Sequence, residues 1–193
     1  MAIVQPKRMT AAEFEARYAD KDGRAELIHG EVIEMSPTMP PHGRYVMRVS
    51  LPIGLFVEEH QLGEVYGAET GFTIQHADGT ESVLAPDLAF IRLERLPDED
   101  PQGFWRIPPD LVVEIRSESE RQRDVEKKIA LWLEGGARLV WYVDPSRQEV
   151  SVHRADGTTQ TLTIHDTLSG EDVLPGFELP VQKIFRRMKT FEP

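Results

Sequence analysis

The sequence predicts an α/β or α+β fold with a mixed central β-sheet. Its predicted elements run helix, strand, strand, strand, helix, strand, an order typical of such domains. Segments with helical periodicity alternate with short apolar segments of strand type. With 193 residues, 40% of them hydrophobic and 28% charged, the chain is expected to form one soluble domain over residues 1–193 around a sizeable core.

The N-terminal region predicts one helix and one hairpin. Thr10-Ala11-Ala12-Glu13 matches the capping box and starts a short helix. Asp22-Gly23 predicts a turn. Ala25–Ile28 and Glu31–Met35 then flank His29-Gly30, a pattern that indicates a β-hairpin.

A long helix is predicted from His42 to His60, because apolar residues recur there at helical spacing. The proline-rich segment before it, Ser36–Pro41, is expected to be irregular. Pro52 lies inside the predicted helix, and an internal proline removes a hydrogen bond at a cost of about 3 kcal/mol. We therefore expect a kink or a break at this residue.

Short extended segments follow, at Glu64–Gln75 and Ala85–Leu93, with a turn at Asp78-Gly79. A loop that contains four prolines then leads to the strand Leu111–Ile115. These segments supply the strands on one side of the predicted sheet.

The second half begins with capping residues at Ser117–Glu120 for a helix that runs to about Glu134. Gly135-Gly136 stops this helix, and Arg138–Val143 is the next apolar strand. The remaining predicted elements are a hairpin of Glu149–Arg154 with Thr158–Ile164, and a short helix at Val181–Phe185. This hairpin extends the fold with further β-structure.

Composition excludes several kinds of site. The chain has no cysteine, so disulfides, thiolate metal sites and thiol nucleophiles are absent. It has no stretch long enough to span a membrane and no secretory signal pattern, so we expect a cytoplasmic protein. The net charge of -11 opposes non-specific adhesion to nucleic acid, and a nuclease with this charge would need bound cations and a local basic surface.

Glu114 is the most informative residue, because it interrupts a strand that is otherwise apolar. Strand side chains alternate, so it lies at the centre of one face of Leu111–Ile115. A carboxylate removed from water costs several kcal/mol unless a cation compensates it. The sequence leaves two possibilities open, a functional site or a structural ion pair with Arg116 or Arg138.

Asp87 provides a second carboxylate. It follows Pro86 at the start of the predicted strand Ala85–Leu93, and neighbouring strands would bring it close to Glu114. Two carboxylates with backbone carbonyls and water form the oxygen-rich shell that Mg²⁺ or Mn²⁺ prefers. We therefore predict Asp87 and Glu114 as metal ligands. Alone, Asp87 is equally consistent with an ordinary turn residue.

Lys128 is the predicted third member of the site. At about 100° per residue, it borders the apolar stripe of its helix, whereas Lys127 points away from that stripe. A lysine beside two metal-binding carboxylates can orient water or neutralise a phosphate. Asp87, Glu114 and Lys128 together predict phosphodiester hydrolysis.

Several segments spread along the chain match one known pattern: Glu26–Glu31, Ala85–Phe90, Pro109–Glu114, Lys128 and Leu139–Pro145. Through these segments most of the chain resembles the Uma family of putative restriction endonucleases. This resemblance implies a restriction-endonuclease-like core and a PD-(D/E)xK nuclease site. In that signature the lysine follows on the same strand, where this chain has Arg116. The resemblance implies that the lysine has moved to the following helix, in agreement with Lys128.

Three accessory residues complete the prediction. Glu26 matches the family pattern, and nucleases of this superfamily often add an acidic residue from the N-terminal region, although its position is equally consistent with a solvated residue at the edge of the hairpin. His42 is a candidate to contact substrate or a metal-bound water, although a lone histidine is more often a cap or a surface residue. Arg116 could bind phosphate but could not act as a base, because arginine stays protonated.

We therefore expect a metal-dependent nuclease acting on DNA. The alternative is a catalytically silent module that keeps the nuclease fold for binding or assembly, which the acidic net charge and the arginine at the usual lysine position favour. Hydrolysis of another phosphate ester is a third hypothesis. A homodimer is also expected by analogy with nucleases that cut both strands, with Phe104, Trp105 and Trp141 as candidate interface residues.

Overall fold

A computed structural model of the chain describes residues 8–19, 24–117 and 120–187. The helices are α1 (Ala11–Tyr18), α2 (Pro40–His60), α3 (Gln122–Glu134) and α4 (Val181–Phe185), with a 3₁₀ turn at Leu93–Arg95. The strands are β1 (Arg24–Ile28), β2 (Glu31–Met35), β3 (Gly63–Gly67), β4 (Phe72–Gln75), β5 (Glu81–Leu84), β6 (Leu88–Arg92), β7 (Leu111–Ile115), β8 (Leu139–Asp144), β9 (Glu149–Arg154), β10 (Thr159–Leu162), β11 (Thr167–Ser169) and β12 (Glu178–Pro180). The turn predicted at Asp22-Gly23 lies outside the described residues.

The central sheet is mixed, as predicted. Its strand order is β10-β9-β8-β7-β6-β3, and β7 pairs in parallel with β8 while the other neighbours are antiparallel. Helix α3 connects the parallel pair, since parallel neighbours need a crossover. The predicted C-terminal hairpin forms β9 and β10, which extend one edge of this sheet.

A second, antiparallel sheet has the order β2-β1-β5-β4 and contains the predicted N-terminal hairpin. His29 and Gly30 make its turn with φ of 47° and 79°. The predicted capping box is present: the Thr10 hydroxyl accepts from the Glu13 N–H at 3.1 Å, and the Glu13 carboxylate accepts from the Thr10 N–H at 3.0 Å. Helix α1 packs on this sheet.

The alternation predicted for β7 divides the core between the two faces of the central sheet. Leu111, Val113 and Ile115 pack in one buried cluster with α2 and α4. Val112 packs on the other face with residues of α3, including Val125. Glu114 shares the α3 side of the strand with Val112, which directs its carboxylate toward that helix.

The long helix differs from the prediction at two points. It begins at Pro40, because prolines are tolerated in the first turn, where their missing N–H groups would be unpaired anyway. The irregular segment predicted to end at Pro41 is therefore shorter. The helix also continues through Pro52 to His60, so of the predicted kink or break, the break does not occur. Buried contacts of Val49, Ile53 and Val57 hold it on the sheet on both sides of the proline.

Two other predictions are corrected. Helix α3 begins at Gln122 after Arg121, with no side-chain cap, so neither Ser117 nor Glu120 caps it. Trp105 and Trp141 are 6% and 0% exposed. They belong to the core of this chain, where Trp141 stacks on Phe177. They are unavailable as interface residues. No helix of the described part of the chain is long and apolar enough to cross a membrane.

Candidate functional site

Glu114 lies at the centre of a buried polar cluster between the central sheet and the second sheet. It is 7% exposed on β7, and its Oε1 accepts hydrogen bonds from Lys128 Nζ at 3.2 Å and Trp132 Nε1 at 2.8 Å. Both donors lie on α3, one helical turn apart, and therefore reach the same carboxylate. The ion pairs of Glu114 with Arg116 or Arg138, considered from the sequence, do not form among the described residues.

Lys128 joins two carboxylates from different sheets. Its Nζ lies 3.0 Å from Glu26 Oε1 and 3.2 Å from Glu114 Oε1, and its side chain is 15% exposed. Glu26 is on β1 of the second sheet, where its Oε1 also accepts from the Ala85 N–H at 3.2 Å. Lys127 is exposed, as the helical periodicity predicts.

Asp87 completes the group from the strand next to Glu114. It immediately precedes β6, which pairs antiparallel with β7. Its Oδ2 accepts from the Ile115 N–H at 2.8 Å, and its Oδ1 lies 3.0 Å from His42 Nε2. His42 is in the first turn of α2, so this helix also contributes to the site. The structure thus brings Glu26, His42, Asp87, Glu114 and Lys128 together.

Arg116 takes a different position from the one proposed for it. Its guanidinium lies 2.8 Å from Asp144 Oδ2 and contacts the Glu120 carbonyl at 3.4 Å. These contacts hold it beside β8, and none of its described contacts involves Glu26, Asp87 or Glu114. The hydrogen bond to Asp144 raises the pKa of Arg116.

Three residues of the site were not identified from the sequence. Trp132 is a buried residue of α3, and its indole N–H donates to the Glu114 carboxylate. Glu120 accepts from the Tyr142 hydroxyl at 3.3 Å. Burial raises the pKa of Glu120, and it also senses the charges of Lys128 and Asp87. The spacing of one helical turn between Trp132 and Lys128 could have indicated Trp132. No local sequence pattern indicated Glu120 or Tyr142.

The ionisable groups of the cluster shift one another's pKa values. Burial raises the pKa of Glu114 to about 8, the Lys128 charge opposes this shift, and the charges of Asp87 and Glu26 add to it. Burial lowers the pKa of Lys128, but Glu114 and Glu26 outweigh it and the net pKa rises, so the ammonium persists. Lys128 therefore contacts two acidic side chains, Glu26 and Glu114, and the charge of Asp87 acts on Glu114.

The side chains of Glu26, Asp87 and Glu114 fit a hard divalent cation in charge and in donor type, since Mg²⁺ and Mn²⁺ prefer carboxylate oxygens. The arrangement is not a preformed cage. Within residues 8–19, 24–117 and 120–187, no three His, Asp or Glu side chains converge closely enough to hold a metal ion as they stand. Lys128 lies between two of the three carboxylates, and a cation would share them with its ammonium.

Comparisons with known proteins identify relatives of this chain. The model of the Uma2 family, described as "Putative restriction endonuclease", matches residues 11–182. The crystal structure of a putative nuclease of DUF820 from Anabaena variabilis ATCC 29413 superposes with a TM-score of 0.78 and 23% sequence identity, over 92% of this chain and 97% of that one. At this identity the likeness establishes the fold, which agrees with the nuclease-like core expected from the sequence. No curated protein matches significantly.

Proposed function

Because the chain belongs to the Uma2 family of putative restriction endonucleases, we propose that it is a nuclease that hydrolyses phosphodiester bonds in DNA with Mg²⁺ or Mn²⁺. The observation that carries the proposal is the buried cluster in which Lys128 pairs with Glu26 and Glu114, while the nearby charge of Asp87 raises the pKa of Glu114. These residues come from two sheets and a helix, and they form a buried acidic group whose charge is only partly compensated.

Asp87 and Glu114 would hold the metal ion, with Glu26 as a further carboxylate. When bound, a divalent cation would lower the pKa of a water ligand and stabilise negative charge on the phosphoryl oxygens. The acidic group would also bring a cation to a chain whose net charge of -11 otherwise repels DNA.

Lys128 would act as a hydrogen-bond donor. Its raised pKa keeps the ammonium protonated, so it can orient the attacking water or contact a phosphate oxygen but cannot accept a proton. Trp132 fixes one oxygen of Glu114, and His42 and the Ile115 N–H fix both oxygens of Asp87. Such supporting contacts preorganise carboxylates that must bind in one orientation.

The test is cleavage of supercoiled plasmid with Mg²⁺ or Mn²⁺. We expect Glu114→Gln and Asp87→Asn, which keep side-chain size, to lose about 100-fold or more of the activity. Asp110→Asn is the matched control, because Asp110 is a fully buried acid outside this cluster, paired with Arg95. Cleavage by Glu114→Gln at the wild-type rate would refute the assignment of the site.

A second candidate function is a binding or assembly module without catalysis. It is favoured by the Lys128 ammonium, which already pairs with two of the three carboxylates. Isothermal titration calorimetry separates the two functions. The nuclease requires Mg²⁺ or Mn²⁺ binding that Glu114→Gln abolishes, whereas the module requires neither metal binding nor cleavage.

A further inference from the structure

The outward face of α2 carries an apolar stripe. Met47, Leu51 and Leu55 follow one another at intervals of four residues and are 60%, 56% and 58% exposed. The opposite face of the same helix is buried on the sheet through Val49 and Ile53. A surface helix with one buried face normally has a polar outer face, so a continuous exposed stripe indicates a surface that another molecule covers.

Two glycines beside this stripe have no packing partner among the described residues. A Cβ added at Gly43 or Gly54 would meet no atom within 4 Å. Glycine within a helix is less stable than alanine there, and a close contact inside the protein would be the usual reason to keep it. At both positions that reason is absent, whereas bare backbone beside an apolar stripe allows a second helix to approach closely.

The charges on the outward face are arranged symmetrically about Leu51. Arg44 lies seven residues before Leu51 and Glu58 lies seven residues after it, and both are exposed. Two complete turns of helix cover about seven residues, so both side chains lie on the same side of the helix as the stripe. Neither residue forms an ion pair with another described residue of the chain.

A two-fold axis through Leu51 makes this face complementary to itself. In an antiparallel pair of α2 helices, Arg44 of each copy would face Glu58 of the other, and Met47 would face Leu55. The same two-fold rotation places the N-terminal end of α2, with the exposed Met39, beside the C-terminal end of α2 in the other copy. Leu93 lies near that C-terminal end, because its N–H donates to the carbonyl of Leu62. Its side chain is 58% exposed and adds apolar surface at this end of the helix.

We propose that this stripe is the dimer interface of the protein, occupied by α2 of a second copy in an antiparallel arrangement. A crossing angle of about 20° keeps the two helices close along their length. The 21 residues of α2 extend over about 31 Å at 1.5 Å per residue. A strip of this length and about 10 Å wide buries less area than the roughly 800 Å² per partner of a standard interface. The dimer is therefore expected to be weak and dependent on concentration.

Sedimentation equilibrium of the full chain over roughly 1 to 100 µM tests the proposal. The wild-type protein is expected to shift from monomer to dimer across this range. Leu51→Glu places two carboxylates together on the axis and is expected to leave only monomer. Its circular dichroism and melting temperature should remain near those of the wild type, because Leu51 is exposed in the monomer. A wild-type protein that is monomeric throughout, or a Leu51→Glu variant that dimerises normally, would overturn the proposal.

Charge reversal tests the antiparallel register. Arg44→Glu and Glu58→Arg are each expected to weaken dimerisation about tenfold, because each creates two repulsive contacts related by symmetry. The double variant exchanges the charges and is expected to return within about threefold of the wild-type Kd. Glu31→Arg, which changes the charge of an exposed residue of β2 outside helix α2, is the matched control. A double variant as weak as the single variants would refute this register.

Discussion

Lys128 and Glu114 form a buried ion pair between helix α3 and strand β7, with Nζ 3.2 Å from Oε1. The same ammonium reaches Glu26 of the second sheet at 3.0 Å. A single lysine therefore compensates charge from two sheets, and several consequences of this contact can be measured.

At about pH 8.5, where the Glu114 carboxyl is ionised, Lys128→Met is expected to destabilise the protein by about 3–5 kcal/mol, because it leaves buried carboxylates without their cation. Urea denaturation measures this loss. Lys127→Met is the control: Lys127 is the exposed neighbour, and its replacement should change stability by no more than about 0.5 kcal/mol. Equal effects of the two substitutions would show that the Lys128 ion pairs contribute little.

Glu114 predicts an unusual dependence of stability on pH. Its pKa in the folded protein is raised to about 8 from 4.5. For a carboxyl group with a raised pKa, the folded state holds the proton that the unfolded state releases. The contribution of Glu114 to stability is therefore full below about pH 4.5 and is lost as pH rises to about 8. Denaturation of Glu114→Gln without metal should lack this decline, and a decline of the same size in the variant would contradict the prediction.

Stabilisation by metal should have the opposite pH dependence. A divalent cation binds the carboxylate form, so below pH 8 it must displace the Glu114 proton. We expect Mg²⁺ to raise the melting temperature more at about pH 8.5 than at about pH 6.5. In Glu114→Gln the shift should be small at both values. A shift in that variant equal to that of the wild type would place the metal elsewhere.

Trp132→Phe is expected to destabilise the protein more than Trp141→Phe, by about 1.5 kcal/mol or more, because only Trp132 donates to a carboxylate. Both tryptophans are buried, and both substitutions remove the same volume. The Trp141 Nε1 has no hydrogen-bond partner among the described residues, which makes it a matched control. Equal losses of stability would show that the Glu114 hydrogen bond has little net value.

Asp110→Asn should separate structural from functional acids. Asp110 is fully buried just before β7, with Oδ1 2.8 Å from Arg95 and Oδ2 accepting the Arg92 N–H at 3.0 Å. The substitution is expected to cost about 1–3 kcal/mol in urea denaturation. Metal binding should be unchanged, since Asp110 lies at the opposite end of the strand from the acidic group. A loss of metal binding without a loss of stability would contradict this division.

Local patterns predicted much of the fold. The apolar run around Glu114 correctly placed this charged residue in a buried strand. The helical periodicity of α3 correctly distinguished Lys128, which faces the cluster, from the exposed Lys127. These features depend on residues close in sequence, where alternation and helical spacing are informative. The start of α2 was misplaced because proline was treated as a breaker, although it suits a first helical turn.

Long-range contacts account for what the sequence could not provide. The contact of Glu26 with Lys128 joins strand β1 of the second sheet to helix α3, and no spacing rule relates these residues. The Glu120 contact with Tyr142 likewise depends on how the segment before α3 lies against β8. Trp141 was assigned to an interface because aromatic character alone does not show whether a residue faces the core.

The position of Lys128 between Glu26 and Glu114 has a consequence for how this protein can evolve. A lineage that lost the proposed nuclease activity would still need the lysine, because its loss would leave buried acidic groups without a cation. Replacing one acid alone would change the charge balance for the others. The residues of such a site are expected to be lost together, through several compensating substitutions. Retention of the lysine and its acidic partners in a descendant would therefore reflect the stability of the fold as well as selection for activity.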